Sequence, residues 1–226
     1  MMNKVLVAIV FSNAFIYVNT VAAAEKLPVQ FELGVASDYV YRGISQTGED
    51  PAVQAKFQFK PTKNWYVELF ASEVETPYNG NLELEFATGY QDKLNEDFSY
   101  TAELTYSVFT DEAGGDSDYL EANLVLDYKR FIELTLSHTA DYYGTSEAAT
   151  YVEGRFNLPL HDVIKTAVYV GRYSIDGNVL DSYSLVGFDA WTNIGDINFK
   201  LSFSDTDIER MDTADSRIFV TASYQF

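Results

Sequence analysis

A carboxylate, a guanidinium and an amide come together in the first alternating stretch of the chain, at Asp38, Arg42 and Gln54. In the predicted register all three project from the polar face of a β-hairpin, near its outer end. A fixed carboxylate and guanidinium there could form the constriction of a pore and select solutes by charge and hydrogen bonding. They could equally form an internal ion pair that braces the turn at 43–50, with Gly43 supplying an unusual backbone angle. The residue types favour neither interpretation.

The same polar face continues along the later predicted strands and carries mostly acids. With Asp38 and Arg42 it holds ten acids and six bases. A water-filled lumen lined by this face would favour cations or neutral solutes. The alternative is that acids and bases pair across the interior as solvated struts. The predicted pore or constriction residues are Asp38, Arg42, Gln54, Lys56, Glu68, Glu83, Glu85, Glu103, Glu121 and Glu133, and the other predicted inward charges are Glu32, Lys60, Asp127, Glu153, Arg155, Lys165 and Lys200.

Hydrolytic chemistry would need a different set of residues, and the chain has two histidines. His138 lies next to Ser137 and close to Asp141, a combination that could in principle activate water or a nucleophile. However, Ser137 and His138 point to opposite faces of a strand and cannot form a hydrogen-bonded pair there. His161 falls in a predicted turn. We therefore expect the protein not to be an enzyme.

The acidic stretch 111–118 could hold a hard cation through its carboxylates. Its spacing does not match a calcium loop, and a run of charges is usually a solvated loop. Divalent ions that bridge lipopolysaccharide near these acids are a further, unspecific interpretation. The chain has no cysteine and hence no thiolate site. The sequence predicts no cofactor and no bound metal.

Alternation of apolar and polar residues runs through the chain and predicts strands with one apolar and one polar face. Strands of about ten residues suit a tilted crossing of a bilayer, where unpaired edges require closure into a barrel. The sequence thus predicts an all-β fold, a closed antiparallel transmembrane β-barrel. Ten or fourteen strands are compatible with the spacing, but twelve are predicted, near 29–42, 51–60, 64–74, 81–91, 97–109, 118–128, 130–140, 148–158, 162–174, 181–192, 196–205 and 216–226.

The connections between these strands alternate between short turns and longer segments rich in Gly, Asp and Asn. This is the pattern of an outer-membrane barrel with short periplasmic turns and longer outer loops. Because even the outer loops are short, little chain is expected to be available to block the lumen. Segment 181–192 is ambiguous, since Tyr183 and Leu185 alternate out of step with Val186, and this suggests a β-bulge.

Aromatic residues are predicted to form two girdles at the membrane interfaces, where rings with one apolar and one wet side are favoured. The alternative is a soluble β-barrel with these aromatics in its core. The girdle near the outer rim comprises Tyr41, Tyr106, Tyr119, Tyr151, Tyr173 and Tyr183, and the other comprises Phe59, Trp65, Tyr90, Phe98, Tyr128 and Tyr224.

The two ends of the chain carry targeting signals. Lys4, the apolar run at 5–18 and the small residues at 22–24 predict a cleaved signal peptide at 1–24, with an uncleaved anchor as the alternative. The barrel would then comprise 25–226. A last strand that ends on Phe226 resembles the C-terminal signature read by the barrel-assembly machinery. The formal net charge of −19 argues against a nucleic-acid partner.

The first hairpin also carries a family resemblance. It resembles the TorF-family porins of proteobacteria in the run Gly34-Val35-Ala36-Ser37-Asp38-Tyr39-Val40-Tyr41-Arg42-Gly43-Ile44-Ser45-Gln46-Thr47, in the following Pro51-Ala52-Val53-Gln54 and, more loosely, in 65–74 with Ala71-Ser72. The remainder agrees with a general barrel pattern. The resemblance implies an outer-membrane pore and brings no substrate with it.

Taken together, these patterns predict a passive channel in the bacterial cell outer membrane for small hydrophilic solutes, weakly preferring cations. Its other expected partners are outer-membrane lipid and lipopolysaccharide. A closed structural or adhesive barrel is the alternative, and conductance distinguishes the two. Twelve strands fall between small barrels whose interior is filled by side chains and large open porins.

Overall fold

A computed structural model describes residues 28–76, 80–113, 116–161, 163–177 and 180–226. Twelve antiparallel strands form a closed barrel in which each strand pairs with its sequence neighbours, and the first pairs with the last. This confirms the predicted fold. The strands are β1 Val29–Ala36, β2 Val40–Tyr41, β3 Ile44–Ser45, β4 Ala52–Phe59, β5 Trp65–Glu73, β6 Leu82–Lys93, β7 Phe98–Thr110, β8 Tyr119–Tyr128, β9 Ile132–Thr139, β10 Ala149–Leu158, β11 Lys165–Ile175, β12 Tyr183–Ile194, β13 Ile197–Thr206 and β14 Arg217–Gln225, of which all but β2 and β3 belong to the barrel.

The described helical structure consists of two short 3-10 turns, Tyr142–Gly144 and Asp212–Ala214. No helix in the described ranges is long and apolar enough to cross a membrane. The predicted signal peptide, 1–24, lies outside the described residues.

Alternation along each strand separates an apolar outside from a polar inside. In β1, Phe31 and Leu33 are exposed on the outer surface, whereas Glu32 is buried. Its register partner on β4, Lys56, is buried as well. This is the inverse of a water-soluble barrel, and it suits an exterior that faces lipid and an interior that faces water or protein. Closure of the ring pairs the backbone groups that lipid could not satisfy.

Two inward tyrosines fix the spacing between neighbouring strands. Tyr66 on β5 and Tyr169 on β11 each cover a glycine that is their register partner, Gly89 and Gly187. A Cβ atom at either glycine would overlap the tyrosine ring. Close approach of the ring to the backbone explains why glycine occupies these strand interiors.

The ambiguous segment near 181–192 forms a regular strand. The pairing of β12 with β11 and β13 is continuous, so the suggested bulge is absent. Tyr183 and Leu185 are buried in the interior, and Val186 is exposed outside. The alternation of apolar and polar residues is lost here because the interior at this end of the barrel is apolar, so apolar side chains face both inwards and outwards.

The prediction of one strand over 29–42 is wrong beyond Ala36. The chain leaves the wall there, folds into the lumen and returns to it at Ala52. We call residues 37–51 the inward segment. The expectation that little chain is available to block the lumen is therefore also wrong.

The two ends of the barrel differ in their connections. We call the end that carries the inward segment and the longer connections the loop end, and the other the turn end. The predicted girdle at the loop end is wrong, because five of its six tyrosines are buried in the interior and Tyr106 alone of the set is exposed outside. At the turn end the predicted girdle is confirmed as outward-facing aromatics, with ring contacts between Trp65 and Tyr90 and between Phe98 and Tyr128.

Candidate functional site

The inward segment crosses the lumen and touches the wall on several sides. Tyr39 donates a hydrogen bond from its hydroxyl to Glu83 Oε2 on β6, at 2.7 Å. On another side, the Tyr183 hydroxyl on β12 donates to the Arg42 carbonyl oxygen at 3.0 Å. Since β6 and β12 are six strands apart in the twelve-strand ring, they lie on opposite walls. A segment held by both must span the interior.

A tight hairpin forms the tip of the segment. Val40 pairs with Ser45, and Tyr41 pairs with Ile44, which leaves Arg42 and Gly43 as a two-residue turn. Both turn residues have positive φ, 46° and 84°, as a type I′ turn requires. Glycine adopts this conformation without strain, whereas Arg42 must be held in it by its surroundings.

The Arg42 guanidinium is anchored by one carboxylate and three aromatic rings. Nη1 and Nη2 each donate to a different oxygen of Glu121, both at 2.8 Å. The side chains of the pair are only 2% and 6% exposed. Rings of Tyr41, Tyr151 and Tyr173 lie within 4.7 Å of the guanidinium carbon. Burial opposes the charged form, but the Glu121 carboxylate and the neighbouring tyrosines outweigh it and raise the pKa of Arg42 well above its ordinary value.

Asp38 is the second anchor of the inward segment. Its Oδ1 accepts hydrogen bonds from Ser45 Oγ at 2.6 Å and Thr47 Oγ1 at 3.1 Å, which fixes the two arms of the hairpin to each other. Its Oδ2 accepts from Arg217 Nη1 on β14 at 2.9 Å. The Arg217 guanidinium also lies 3.6 Å from Glu49. Asp38 thus ties the segment to the strand that closes the barrel.

Apolar and aromatic side chains fill the loop-end half of the lumen. One cluster forms around Tyr39, and a second around Tyr173 and Tyr183. Tyr143, in the 3-10 turn after β9, packs against Phe109 and belongs to the surroundings of both clusters. The inward segment therefore sits in a packed core rather than in open water.

One wall of the lumen is acidic. Strands β5 to β8 are consecutive in the ring, and their inward faces carry six acids. Glu103 accepts hydrogen bonds from the Tyr66 hydroxyl at 2.5 Å and from Thr105. Glu68 lies 3.4 Å from Lys56 of the next strand. The six acids are Glu68, Glu83, Glu85, Glu103, Glu121 and Asp127.

The opposite wall carries three inward bases, and we call it the basic wall. In a ring of twelve, β11 to β14 face β5 to β8, and they hold Lys165, Lys200 and Arg217. Beside them on β10, Arg155 donates to Asp189 Oδ2 at 2.6 Å and lies 3.3 Å from Glu153. The lumen is thus polarised from one wall to the other.

A cavity of about 70 Å³ lies between the inward segment and the basic wall. The segment, including Asp38 and Arg42, forms one side of the cavity, and inward residues of β10 to β14, together with Ala36 of β1 and Gln54 of β4, form the others. Among the lining groups are Arg155, Tyr169, Lys200 and Thr221. In this conformation the segment separates the cavity from the loop end.

The structure brings the predicted site residues together in the lumen. Lys56, Glu68, Glu83, Glu103, Glu121 and Glu133 are buried on the inward faces of their strands, and Glu85 is partly buried there. Gln54 is buried and donates to Ser72 on β5 at 3.1 Å. Asp38 and Arg42 also face the interior, although from the inward segment and not from a wall strand. An ion pair between Asp38 and Arg42 was one of the two interpretations left open, and the structure instead pairs Asp38 with Arg217 and Arg42 with Glu121.

Sequence reasoning missed two charged residues of the lumen. Arg217 alternates with the outward Ile218 and Val220 of β14, so its inward direction could have been read from the pattern. Asp189, the partner of Arg155, was hidden by the apolar residues at the start of β12. Neither residue's partner could be read from the sequence, because both contacts join segments far apart in the chain.

The histidine and acidic-loop alternatives gain no support. Ser137 is buried inside and His138 is exposed outside, where its Nδ1 lies 2.9 Å from Thr150 Oγ1. In the acidic loop, Glu112 accepts two hydrogen bonds from Ser117, at the backbone and at the hydroxyl. Among the described residues, no three His, Cys, Asp or Glu side chains are grouped so as to hold a metal ion.

The closed antiparallel barrel with a polar interior defines the structural class of this protein, and comparison with known families defines its relatives. The family described as bacterial protein of unknown function (Gcw_chp) matches residues 21–224. The chain therefore belongs to the Gcw_chp family. No curated protein matches the sequence.

Solved structures with a similar fold are barrels of comparable or greater size. The NanC porin has a TM-score of 0.54 at 9% identity, with 87% of this chain and 97% of that chain covered. A membrane protein studied by in-meso crystallisation has a TM-score of 0.58 at 7% identity, covering 88% and 83%. OccD3 (OpdP) of Pseudomonas aeruginosa has a TM-score of 0.47 at 12% identity, covering 90% and 66%. This chain spans 55% of the length of Acinetobacter baumannii OccAB2, another similar structure. At these identities the likeness concerns the fold.

Proposed function

We propose that the protein is a channel of the bacterial outer membrane for passive diffusion of small hydrophilic solutes, with a weak preference for cations. The observation that carries the proposal is the contrast between the two faces of the wall. The exterior exposes Val, Leu and Phe side chains, whereas the interior holds charged groups from almost every strand. A filled structural barrel has no need of so many buried charges, since each is costly to desolvate.

Two resemblances support this function without fixing the solute. One similar structure is named a porin, NanC, and its whole length is nearly covered by the match. The first hairpin resembles the TorF-family porins in the run 34–54. In this proposal the turn end lies in the periplasm and the loop end faces outwards, as in other bacterial barrels. Lipid and lipopolysaccharide surround the wall, and Phe226 is recognised by the barrel-assembly machinery.

The proposed constriction is the zone where the inward segment meets the polarised walls. Glu121 and Glu83 hold the inward segment through Arg42 and Tyr39. The acids that line the proposed solute path therefore also hold the segment that obstructs it. The remaining predicted constriction residues line the path towards the turn end. Conduction requires the segment to move away from the wall or to leave a gap beside it. The acid excess of the lumen gives the cation preference.

The closed structural barrel remains a second candidate because of one specific observation. The loop-end half is packed with tyrosines, among which Tyr151, Tyr173 and Tyr183 are almost completely buried. A core of this kind costs free energy to open. A barrel that never opens would present only its loops to the outside.

Planar-bilayer recording separates the two functions. Purified protein is inserted into a planar bilayer and current is recorded under a KCl gradient. Stepwise conductance with a reversal potential that favours K⁺ supports the channel. Folded, heat-modifiable protein that inserts and passes no current supports the structural barrel. Stepwise conductance that favours Cl⁻ keeps the channel and overturns the cation preference.

A further inference from the structure

A groove runs down the outer surface of the barrel from the loop end, across the faces of β7, β8 and β9. Its volume is about 530 Å³. Ala122 of β8 forms its floor, because the register partners of this small residue on the neighbouring strands are the larger Leu104 and His138. Leu120 and Tyr106 continue the groove towards the loop end. All five side chains are exposed on the outer surface, so the groove lies on the face that is proposed to contact lipid.

Three carboxylates line the loop end of this groove, those of Asp116, Asp118 and Asp141. Asp118 Oδ1 accepts a hydrogen bond from the backbone N–H of Phe109 at 2.8 Å, and Asp141 Oδ1 accepts one from that of Ser146 at 2.6 Å. These bonds hold two of the carboxylates in place. Among the described residues, no basic side chain forms an ion pair with any of the three acids, and the groove is lined by no Lys or Arg. The loop end of the groove therefore carries unbalanced negative charge.

The shape of the groove suits a single hydrocarbon chain. Strands β7 and β9 are two strand spacings apart, about 10 Å, and the side chains of Leu104 and His138 occupy part of that width. An α-helix with its side chains is about 10–12 Å across and is too wide to fit. Leu104 precedes Phe109, the residue bonded to Asp118, by five residues, which is about 16 Å along the strand. One extended alkyl chain fits a groove of this width and length.

The charge at the loop end of the groove selects the head group. The three acids repel a phosphate or a carboxylate. A divalent cation needs carboxylates that converge on one point, and among the described residues no three His, Cys, Asp or Glu side chains are grouped in that way. An ammonium has three donors, which carboxylates lying apart can share. It is also attracted to an aromatic face such as that of Tyr106.

We infer that this groove binds a single-chain amphiphile with a net positive charge. Its ammonium head lies at Asp118 and Asp141, and its hydrocarbon chain lies along Leu120, Ala122 and Leu104. Because the surrounding lipid is as apolar as the groove, the head group supplies most of the selectivity and the groove supplies the fit. The site is on the outside of the wall, separate from the solute path of the proposed channel, and binding there needs no conduction.

Spin-labelled amphiphiles test the inference. Purified protein is reconstituted at pH 7 in phosphatidylcholine vesicles that contain a small amount of spin-labelled stearylamine. Electron paramagnetic resonance then measures the fraction of label that the protein immobilises, and spin-labelled stearic acid and phosphatidylcholine give the comparison. We expect the amine to be immobilised most strongly, phosphatidylcholine less and stearic acid least.

The role of the head group is tested with D118N/D141N. Each Asn keeps an oxygen that can accept from the same backbone N–H, so the local fold is retained. The relative association constant of stearylamine should fall by about fivefold or more, because one unit charge about 4 Å from another contributes roughly that factor even in water. E73Q/E209Q is the matched control, since it removes the same charge from exposed loop-end acids outside the groove. It should leave the constant unchanged, because salt screens distant exposed charges.

The role of the groove is tested with a larger side chain on its floor. A122L fills the floor and should lower the association of stearylamine by about twofold or more, because the alkyl chain loses its contacts there. A102L is the matched control. Ala102 is exposed on the outer face of β7 and lies outside the groove, so the same substitution there should leave the association unchanged.

Four results would overturn the inference. They are an amine that is immobilised no more than phosphatidylcholine, an equal loss in D118N/D141N and E73Q/E209Q, an equal effect of A122L and A102L, and a preference for stearic acid once Ca²⁺ is added. The last result would assign the groove to an anionic lipid bridged by a divalent cation. Protein that selects the amine through the groove but passes no current would reject the channel and leave the site standing, whereas protein that conducts without selecting the amine would do the reverse.

Discussion

Arg42 and Glu121 join the tip of the inward segment to the wall through two parallel hydrogen bonds of 2.8 Å. The two residues are 79 positions apart in the chain, and both are buried in the lumen. Bidentate geometry orients the guanidinium as well as holding it. This pair therefore fixes the tip of the segment to the barrel wall, and we call the Arg42–Glu121 pair the latch.

Breaking the latch should open the channel and destabilise the barrel. R42A leaves Glu121 buried without its partner, a change that costs about 3–5 kcal/mol for buried pairs. We expect longer or larger conductance steps in planar bilayers and a lower midpoint of denaturant unfolding. K129A is the matched control, since Lys129 and Asp97 form an ion pair that is half exposed, worth about 0–1 kcal/mol. Equal behaviour of R42A and K129A would contradict the latch.

A disulfide should lock the inward segment in place. A Cβ atom at Gly43 would lie 3.5 Å from Leu185 Cβ, within the range of natural disulfides. It would also lie 2.6 Å from Thr206 Cγ2, so the lock is built as G43C/L185C/T206A. The native chain has no cysteine to interfere. Oxidised protein should conduct less than the same protein after reduction.

Each single-cysteine variant in the T206A background serves as the control for the lock. Neither should respond to oxidant. If the oxidised triple variant forms its disulfide, as shown by thiol labelling, and conducts as well as the reduced protein, then solutes pass without movement of the segment.

Adding a methyl group under a tyrosine should strain the wall. G187A places a Cβ atom where the Tyr169 ring lies, and overpacking of this kind costs about 1–3 kcal/mol. G154A is the control, because a Cβ at Gly154 meets nothing within 4 Å. Denaturant unfolding in micelles should show a lower midpoint for G187A only. If G154A is destabilised as much, the effect comes from the strand backbone and not from the ring.

A charge on the outer surface should be costly only near the middle of the wall. Leu201 is exposed at the centre of β13, between Ala190 and Val220 of the neighbouring strands. L201R should cost about 2–4 kcal/mol in a bilayer, and I218R near the loop end about 0–1 kcal/mol. Unfolding in lipid vesicles measures both. Equal costs would contradict the proposed lipid-facing band.

Neutralising part of the acidic wall should reduce the cation preference. A unit charge about 8 Å from a permeating ion contributes about 0.5 kcal/mol in water, or roughly twofold in permeability. D127N should therefore lower the ratio of K⁺ to Cl⁻ permeability about twofold, as measured by reversal potentials. E209Q, at an exposed loop residue, should leave the ratio unchanged. An unchanged ratio in D127N would place the selectivity elsewhere.

The sequence predicted the wall well because its alternation has one physical cause, a lipid-facing side and a polar side. It failed at 37–42, where Tyr39 and Tyr41 continue the apolar row of β1 by coincidence of spacing. The turn at 43–50 was predicted, and Gly43 and Gly48 there have positive φ, but its position inside the lumen was not. The tyrosines of the loop end were predicted to face the membrane interface because the sequence pattern alone cannot distinguish an apolar membrane interface from an apolar barrel interior. The latch and the Asp38 anchor could not be predicted, since each joins distant parts of the chain.

The seam between β1 and β14 has a consequence for how the molecule is made. The inward segment begins at the residue after β1, and its Asp38 is anchored by Arg217, the first residue of β14. Arg217 can hold Asp38 at this position only once β14 is paired with β1. The joining of the first strand to the last therefore also completes the anchor that holds the inward segment in the lumen.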